Sequence, residues 1–342
     1  GNDTTGDGSS GAPWRTIQKS VESGSPVTAG DTVYVRDGTY TATSGGRTVL
    51  INGTGTPQGT SGNPVTIKAE NCHAAKIVTP AVSGGSGIAV YVNRAYITIE
   101  CFEIVADQLS GNQPAGTSIG GIFLESSAVG AVIKNNIVHD IGRQICSDSV
   151  FGFAAIFTRG ASSQTITENV IYKVGRRYNG ESSCVTTLNA NDHAIYVEVA
   201  NNTTGTRNIS YDNARGYCLN VYKSGAVEGS AFQHVGLVFD HNVCDTPSGE
   251  TRGPSGQVIY GQSHDGFRIR NNIFNRPENC AVKSFNPGTF TDVSFIGNRT
   301  SVNDTDFHCD PSPPTGITVG GTNIANASIG FSNADSANYT LA

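Results

Sequence analysis

The chain has 342 residues and a formal net charge of −6 without any run of Lys or Arg, so it lacks the basic footprint of a nucleic-acid-binding protein. Only 15% of the residues are charged and 42 are Gly, while good helix formers are scarce. This composition argues against a helical bundle and favours short strands joined by turns. No stretch approaches the roughly 18 apolar residues of a membrane span, so we expect no membrane partner.

Residues 1–42 predict an N-terminal cap followed by a first coil. The segment 13–21 has the spacing of a short amphipathic helix. The apolar face of this helix consists of Trp14, Ile17 and Val21. A turn and a strand over 30–35 follow, and the next turn is predicted at 38–40. Such a helix covers the apolar end that an open β-solenoid would otherwise expose.

A two-part pattern recurs from residue 86 onward. Its first part is a short apolar strand, and its second part is an apolar residue three places before an Asn. The strand anchors are 24 to 39 residues apart and are Ile88, Ile122, Ile156, Ile195, Leu219, Val258 and Val282. The Asn residues are Asn136, Asn169, Asn242, Asn272 and Asn298, with Asn213 as a looser match. Repeats of roughly 20–50 residues indicate a solenoid, a propeller or another repeat array.

The variable spacing, in units that contain strands but no helix, favours a solenoid over a propeller. We therefore predict an all-β fold, a single-domain right-handed parallel β-helix with an N-terminal capping helix. The right-handed sense follows from the strong bias of parallel strand connections. The coils are expected over 43–310, and a C-terminal cap or tail over 311–342. The recurring Asn predicts a ladder of stacked amides that bond each other and otherwise unpaired backbone groups.

Cysteines and glycosylation sequons indicate secretion. Eight Cys lie singly along the chain without the close spacing of a zinc site, so they predict disulfides formed in an oxidising compartment. Their connectivity stays open, since eight Cys allow about 105 pairings, and buried free thiols are the alternative. Sequons begin at Asn2, Asn52, Asn201, Asn202, Asn208, Asn298, Asn303, Asn326 and Asn338. We expect a secreted, glycosylated and monomeric protein.

The N-terminal segment resembles a known group of enzymes. The stretches that carry the resemblance are Gly1-Asn2-Asp3, 11–18 (GAPWRTIQ) and 30–40 (GDTVYVRDGTY). They look like the N-terminal cap and first coil of secreted right-handed β-helix polysaccharide lyases, namely the family nine pectate lyases and the chondroitinase B/alginate lyase group. This resemblance implies a β-helix that acts on an extracellular polysaccharide. It does not fix the reaction, because hydrolases and epimerases begin in the same way.

The period of two along a strand separates inward from outward positions. Predicted to point inward are Ile122, Leu124, Ile156, Thr158, Ile195, Val197, Leu219 and Val221. Predicted to point outward are Phe123, Glu125, Phe157, Arg159, Tyr196, Glu198, Asn220, Tyr222 and Lys283. Stacked coils lie about 4.8 Å apart, so the outward residues form a strip that can follow a polysaccharide, with aromatic faces as sugar platforms. A loop containing Gln262, His264 and Asp265 is predicted beside this strip.

Cleavage of a uronate by β-elimination requires a group that neutralises the carboxylate, a base for the C5 proton and an acid for the leaving oxygen. Lys or Arg is the base in the lyases that the chain resembles. The pairs Lys223-Ser224 and Lys283-Ser284 are similar to the strand-borne Lys-Ser of the chondroitinase B/alginate lyase group. The predicted catalytic residues are Lys223 as base, Arg159 as neutraliser, and His193 or Tyr222 as proton donor. Substrate contacts are predicted for Glu125, Tyr196, Glu198, Asn220, Lys283 and His264.

A calcium ion and two other functions stay open. Calcium often neutralises the uronate in the lyases that the chain resembles, and Asp192 and Glu198, with Glu125, are candidate ligands for an ion that prefers six to eight oxygens. An inverting glycoside hydrolase needs two carboxylates about 6.5–9.5 Å apart, and the same three residues could supply them. The complete N-x-D, D-D, G-H-G and R-x-K set of polygalacturonases is missing. The third function is a non-catalytic, carbohydrate-binding surface protein.

Overall fold

Three long parallel sheets run along the part of the chain that the computed structural model describes. The described residues are 1–42, 45–82, 85–106, 111–112, 118–146, 152–177, 184, 191–213, 216–223, 233–245, 257–277, 280–301, 308, 315–320, 323–324, 331–333 and 338–341. Each coil gives one strand to the first sheet, then one to the second and one to the third. Neighbouring strands within each sheet are parallel, so the predicted parallel β-helix is confirmed.

The strands of the first sheet, in spatial order, are β1 (Thr32–Val35), β4 (Val65–Ala69), β7 (Ile97–Glu100), β11 (Val132–Lys134), β15 (Thr165–Thr167), β18 (Thr204–Thr206), β22 (Val238–Asp240), β25 (Arg268–Arg270), β28 (Val293–Ile296) and β30 (Ile317–Val319). Those of the second sheet are β2 (Gly38–Tyr40), β5 (Ala75–Val78), β8 (Glu103–Val105), β12 (Ile137–His139), β16 (Val170–Tyr172), β19 (Ile209–Tyr211), β23 (Val243–Asp245), β26 (Ile273–Asn275) and β29 (Arg299–Thr300).

The third sheet contains β3 (Arg47–Ile51), β6 (Ser86–Val92), β10 (Ser118–Leu124), β14 (Ala154–Arg159), β17 (His193–Val199), β20 (Leu219–Val221), β24 (Val258–Asp265) and β27 (Val282–Thr291), and β21 (Gln233–Val235) also pairs with β24. Outside these sheets, β9 (Gly111–Asn112) pairs with β13 (Ile145–Cys146) and β31 (Phe331–Asn333) pairs with β32 (Asn338–Leu341).

Apolar side chains from all three sheets fill the interior of the coils. All eight residues predicted to point inward from the third sheet are buried. Toward the C-terminal end of the described coils the interior becomes aromatic, with Tyr260, Phe267 and Phe295 packed edge to face. The core therefore runs the length of the helix as a column, as expected when each coil contacts only its neighbours.

The N-terminal helix α1 (Ile17–Val21) covers the start of this column. Thr16 caps it by accepting a hydrogen bond from the Lys19 N–H, and Ile17 and Val21 are buried as predicted. Trp14 lies before the helix rather than on it, and its indole N–H donates to the carbonyl of Gly6. The predicted turn at 38–40 is wrong, because these residues form strand β2.

The coils also continue beyond the predicted end at residue 310. Strand β30 pairs in register with β28 in the first sheet. Asn323 then accepts hydrogen bonds from the backbone N–H and the side-chain amide of Asn298. At least part of the segment predicted as a tail therefore belongs to the β-helix.

A buried ladder of Asn side chains follows the turn between the first and second sheets. Each side-chain oxygen accepts from the backbone N–H and from the Nδ2 of the Asn one coil before, with Nδ2–Oδ1 distances of 2.9–3.1 Å. The members are Asn136, Asn169, Asn208, Asn242, Asn272, Asn298 and Asn323. The predicted ladder is thus confirmed, but its member between Asn169 and Asn242 is Asn208 and not Asn213.

Membership of the ladder also affects two of the predicted glycosylation sequons. Asn208 and Asn298 are 2% and 0% exposed, and both side-chain amides are used in the ladder. A glycan on either nitrogen would remove those hydrogen bonds, so neither Asn can carry one in the folded chain. Asn52, Asn201 and Asn202 are exposed and stay candidates.

Three disulfides join described residues. They are Cys72–Cys101, Cys146–Cys184 and Cys218–Cys244. Six of the eight Cys are therefore paired in disulfides, as expected for a protein from an oxidising compartment. Cys309 lies outside the described residues. In the described part of the chain, no helix has the length and apolar character needed to cross a membrane.

We expect Asn169→Ala to destabilise the fold, because it leaves the backbone N–H and the amide of Asn136 without their acceptor. Buried polar groups left unpaired cost about 1–3 kcal/mol in the free energy of unfolding. The change is measured by urea unfolding of the variant and the unsubstituted protein. The control Asn63→Ala removes an exposed amide and should leave the unfolding curve in place. Equal effects of the two substitutions would refute the ladder's contribution.

Candidate functional site

Half-buried rings form an aromatic column on the outer face of the third sheet. Tyr91, Phe123, Phe157 and Tyr196 occupy one register position on consecutive strands, and neighbouring ring centroids lie 4.5–5.4 Å apart. The Arg159 guanidinium lies over two of these rings, at 5.1 Å from Phe123 and 5.4 Å from Phe157. The rings thus contact each other, and the column supports Arg159. That these half-buried rings serve as sugar platforms stays a prediction.

Four charged side chains meet beside this column and form what we call the charged cluster: Glu125, Arg159, Glu198 and Lys223. Arg159 Nε donates to Glu198 Oε2 at 2.8 Å, and Arg159 Nη1 donates to Glu125 Oε1 at 3.2 Å. Lys223 Nζ lies 3.8 Å from the other oxygen of Glu198. The side chains of Arg159 and Lys223 are 48% and 35% exposed. Two cations from different coils are therefore held around one carboxylate and reach solvent.

Glu198 reaches this position because of an irregularity in β17. Thr158 pairs with Val197 and Arg159 pairs with Val199, so Glu198 is an extra residue in its strand. Such a bulge changes the direction of a side chain relative to regular alternation. Glu198 was predicted to be outward and is 6% exposed, because Arg159 and Lys223 cover it.

Tyr91 belongs to the same arrangement, although it was not among the predicted site residues. Its hydroxyl is hydrogen bonded to Glu125, and burial, together with the charge of that carboxylate, raises the pKa of Tyr91. The alternation within β6, in register with Phe123, is the signal that could have identified it.

Tyr196 and Tyr222 fix the chain next to Lys223. The Tyr196 hydroxyl donates to the carbonyl of Tyr222 at 2.9 Å, and the Tyr222 N–H donates to the carbonyl of Val197. Burial raises the pKa of Tyr196 far above its usual value, and the carboxylate of Glu198 adds to this. Tyr196 is therefore an anchor for the backbone at Tyr222, and the Tyr222 side chain is half-buried. Ser224 lies outside the described residues.

His193 and Asn220 lie beneath the outer face instead of on it. His193 is 3% exposed, and its Nε2 contacts the side-chain amide of Asn220 at 2.9 Å. Its Nδ1 accepts from the N–H of Tyr217. Burial lowers the pKa of His193 to about 4, so the ring is neutral at neutral pH. Asn220 is 9% exposed, so neither side chain lies open on the outer face, and their roles as proton donor and substrate contact stay predictions.

Asp192 forms a fully buried ion pair. Its Oδ1 lies 2.8 Å from Arg176 Nη2, and both side chains are 0% exposed. The carboxylate also accepts from the N–H groups of Phe153 and Arg176. Arg176 had not been predicted to matter, and its sequence neighbourhood gives no signal that it would be buried. The pair ties the segment before β17 to the segment after β16.

This placement does not fit the predicted calcium site. Asp192 and Glu198 are six residues apart along one strand, which at about 3.3 Å per residue separates them by roughly 20 Å. Within the described residues, no group of three or more His, Cys, Asp and Glu side chains has the arrangement to hold a metal ion. Asp192 is already neutralised by Arg176, and Glu198 by Arg159 and Lys223.

His264 and Lys283 lie away from the charged cluster. His264 is on strand β24 and not in a loop, is 0% exposed, and stacks on His234 with ring centroids 4.7 Å apart. Its predicted contact with substrate is wrong because the ring is part of the interior. Lys283 is half-buried on β27 and pairs with Ile259, which pairs with Asn220. It therefore lies in the line of the aromatic column, but two strands beyond Asn220.

We expect Asp192→Ala to be strongly destabilising, because it leaves the Arg176 guanidinium buried without its counter-ion. Removing one partner of a buried pair costs about 3–5 kcal/mol in the free energy of unfolding. The control Glu100→Ala breaks a 3.0 Å pair with the partly exposed Lys68 and should cost about 1 kcal/mol or less. Both are measured by urea unfolding without calcium. A small loss for Asp192→Ala would argue against a structural role.

Three buried His predict that stability falls in mild acid. Burial lowers the pKa of His193 and of His234 to about 4 and that of His264 well below its usual value. The unfolded chain, with pKa values near 6.5, therefore binds more protons, so the free energy of unfolding decreases as the pH falls from 6.5 toward 4. Below that pH the contributions of His193 and His234 level off.

The loss amounts to at most about 3 kcal/mol for each fully shifted His. Urea unfolding at several pH values measures it. The slope should become shallower in His193→Gln and stay unchanged in His241→Asn, whose side chain is exposed. A stability independent of pH in this range would contradict the buried neutral state of the three rings.

The comparisons with known proteins show a likeness in fold. No protein-family model matches the chain, and no curated protein matches it. Among solved structures it is similar to XylC in complex with xylose, with 12% identity over 89% of this chain and 75% of that chain and a TM-score of 0.45.

It is also similar to an alginate lyase from a Paenibacillus species, with 15% identity over 91% of this chain and 96% of that chain and a TM-score of 0.38. A mannuronic acid-specific family 6 lyase from human gut microbiota gives 12% identity, 88% and 82% coverage and a TM-score of 0.34. The likeness extends to the fold alone, and the predicted resemblance to family nine pectate lyases stays a prediction.

Proposed function

We propose that this chain is a secreted polysaccharide lyase that cleaves an acidic, uronate-containing polysaccharide by β-elimination at the charged cluster. The observation that carries this proposal is the placement of Arg159 and Lys223 around Glu198. Both cations reach solvent on the same face, and they come from coils on either side of the strand that bears Glu198. The disulfides support the secreted location.

Arg159 is the group that neutralises the substrate carboxylate. Its Nε and Nη1 bind Glu198 and Glu125, and among the described residues Nη2 has no hydrogen-bond acceptor. A guanidinium offers paired N–H donors in the geometry of a carboxylate. Because the aromatic column fixes the plane of the guanidinium, the remaining donors are oriented before substrate arrives. Neutralising the uronate carboxylate stabilises the negative charge that develops at C5.

Lys223 is the base, acting in its neutral amine form. Nζ takes the C5 proton, the electron pair of that C–H bond forms the C4–C5 double bond, and the C4–O bond breaks. The leaving oxygen takes a proton, for which the half-buried Tyr222 is the more exposed candidate of the predicted pair. Glu198 lies between the base and the neutraliser, with one oxygen bonded to Arg159 Nε at 2.8 Å and the other 3.8 Å from Lys223 Nζ. One product carries an unsaturated uronate at its non-reducing end, and the other carries a new reducing end.

We expect Lys223→Ala to lower kcat by about 10²–10⁴-fold, the range that general base catalysis contributes. The assay follows the ultraviolet absorbance of unsaturated uronate on polygalacturonate, alginate, glucuronan and dermatan-type chains, with calcium and with a chelator. Lys68→Ala is the matched control, since it removes a lysine whose side chain is equally exposed, at 35%, but which lies in the first sheet, away from the charged cluster. Its kcat should stay close to that of the unsubstituted protein.

The same assay decides between the proposed function and its competitors. New reducing ends without absorbance would show that the protein is a hydrolase and not a lyase. Glu125 and Glu198 would then be the candidate catalytic carboxylates. Binding without turnover on any of these chains would point to a carbohydrate-binding protein. A loss of activity in Lys283→Ala but not in Lys223→Ala would show that the base is Lys283, two strands along the sheet, and not Lys223.

A further inference from the structure

The third sheet is interrupted where Lys223 stands. Strand β20 pairs with the first half of β24, and β21 pairs with the second half of the same strand. Strand β20 ends at Val221 and β21 begins at Gln233, and β24 is continuous along both. Lys223 lies two residues beyond the end of β20, where regular strand pairing has ended, and it is the last described residue before 233.

A side chain replaces the missing strand pairing at Lys223. The Lys223 N–H donates to Gln262 Oε1 at 2.9 Å, and Gln262 Nε2 donates to the Lys223 carbonyl at 2.9 Å. One amide side chain therefore bonds both polar groups of one backbone residue, as a neighbouring strand would. Two further hydrogen bonds hold Tyr222, so the backbone of both Tyr222 and Lys223 is fixed.

Gln262 is itself held from behind by His234. His234 Nε2 lies 3.0 Å from Gln262 Oε1, and His234 Nδ1 accepts from the N–H of Ala200 at 3.1 Å. Since Nδ1 is an acceptor, the neutral ring carries its proton on Nε2 and donates it to Gln262. That bond fixes which end of the Gln262 amide is the oxygen. Both residues are buried, at 4% and 0% exposure.

The backbone at Gln262 is strained. Its φ is 66°, in the left-handed region, and the register between β24 and β27 shifts on both sides of it. A non-glycine residue in this region costs on the order of 1 kcal/mol or more, and such residues cluster at functional sites. The strain directs the side chain toward Lys223.

The chain contains a second amide with the same type of contact. Gln18 bonds both the N–H and the carbonyl of Leu50 in the edge strand β3, at 2.7 and 3.1 Å. There the contact covers a sheet edge, far along the coils from the charged cluster. Gln262 differs because a buried His orients it and because the residue that it holds carries the proposed base.

We propose that Gln262, oriented by His234, is a positioning residue for Lys223, and this inference rests on the proposed function. It holds the backbone from which Nζ reaches Glu198 and the C5 proton of the substrate. Misplacing a reacting group by about 1 Å costs on the order of 100-fold in rate. The side chain itself touches neither substrate nor the charged cluster.

The first test compares Gln262→Leu with Gln18→Leu, which removes the same type of contact elsewhere. We expect Gln262→Leu to lower kcat by about 10- to 100-fold with little change in KM, because Arg159 still binds the substrate. Gln18→Leu should affect the unfolding midpoint but not kcat. If Gln262→Leu changes only the unfolding midpoint, as Gln18→Leu does, the contact is merely structural and the proposal is overturned.

The second variant, Gln262→Glu, keeps the shape of the side chain and tests the proposal even if Gln262→Leu does not fold. Its carboxylate accepts from Lys223 and His234 but cannot donate to the Lys223 carbonyl, whereas its protonated form can. The ratio of the variant's kcat to that of the unsubstituted protein should therefore rise as the pH falls. The titratable residues around position 262 are His234, which contacts its side chain, His264, which stacks on His234, and Lys223, whose backbone it holds. A ratio that does not depend on pH would count against the proposal.

A third measurement does not require turnover. The rates at which an amine-acylating reagent modifies Lys223 and Lys283 are followed by mass spectrometry in the folded proteins. Gln262→Leu should change the rate at Lys223 by several-fold and leave that at Lys283 unchanged. An unsubstituted protein that cleaves no uronate chain defeats the proposed function, whereas an unchanged rate at Lys223 defeats the positioning by Gln262.

Discussion

The vertical stacking of one coil on the next is the constraint on which the rest of the structure depends. From Asn136 onward, each coil must place its Asn amide where the amide of the coil before can donate to it, within 2.9–3.1 Å. This fixes the register at one corner of these coils, whatever the length of the connections elsewhere. The third sheet can then carry a bulge while the strands on both sides stay aligned. The charged cluster is assembled from four consecutive coils: those of Arg159, Glu198 and Lys223 carry a ladder Asn, and that of Glu125 donates the Phe102 N–H to Asn136.

The sequence predicted the parts of the fold that follow from periodicity. The alternation along β10, β14, β17 and β20 identified the buried positions correctly, and the Asn at the end of each unit identified the ladder. It placed Glu125, Arg159, Glu198 and Lys223 on one face, where they meet. These successes share one cause, since in-register parallel strands convert a sequence period directly into a spatial column.

The errors arose where tertiary contacts override the period. Asn220 and Glu198 occupy outward positions but are covered by neighbours, the former by His193 and the latter by two cations. Asp192 precedes a strand, where a functional carboxylate is common, yet its charge is neutralised by Arg176, which lies 16 residues earlier in the segment after β16. The bulge at Glu198 and the left-handed backbone at Gln262 leave no trace in the alternation of residue types, so only the folded chain reveals them.

The assembly of the charged cluster from successive coils has a consequence for how such a chain can change. A coil added or removed on the N-terminal side of β6 would shift nothing within the cluster, because each coil contacts only its neighbours. The stack of coils beside the aromatic column could thus lengthen or shorten by one coil height while the four side chains of the charged cluster keep their spacing. The length of the β-helix and the geometry of the charged cluster can therefore change independently of each other.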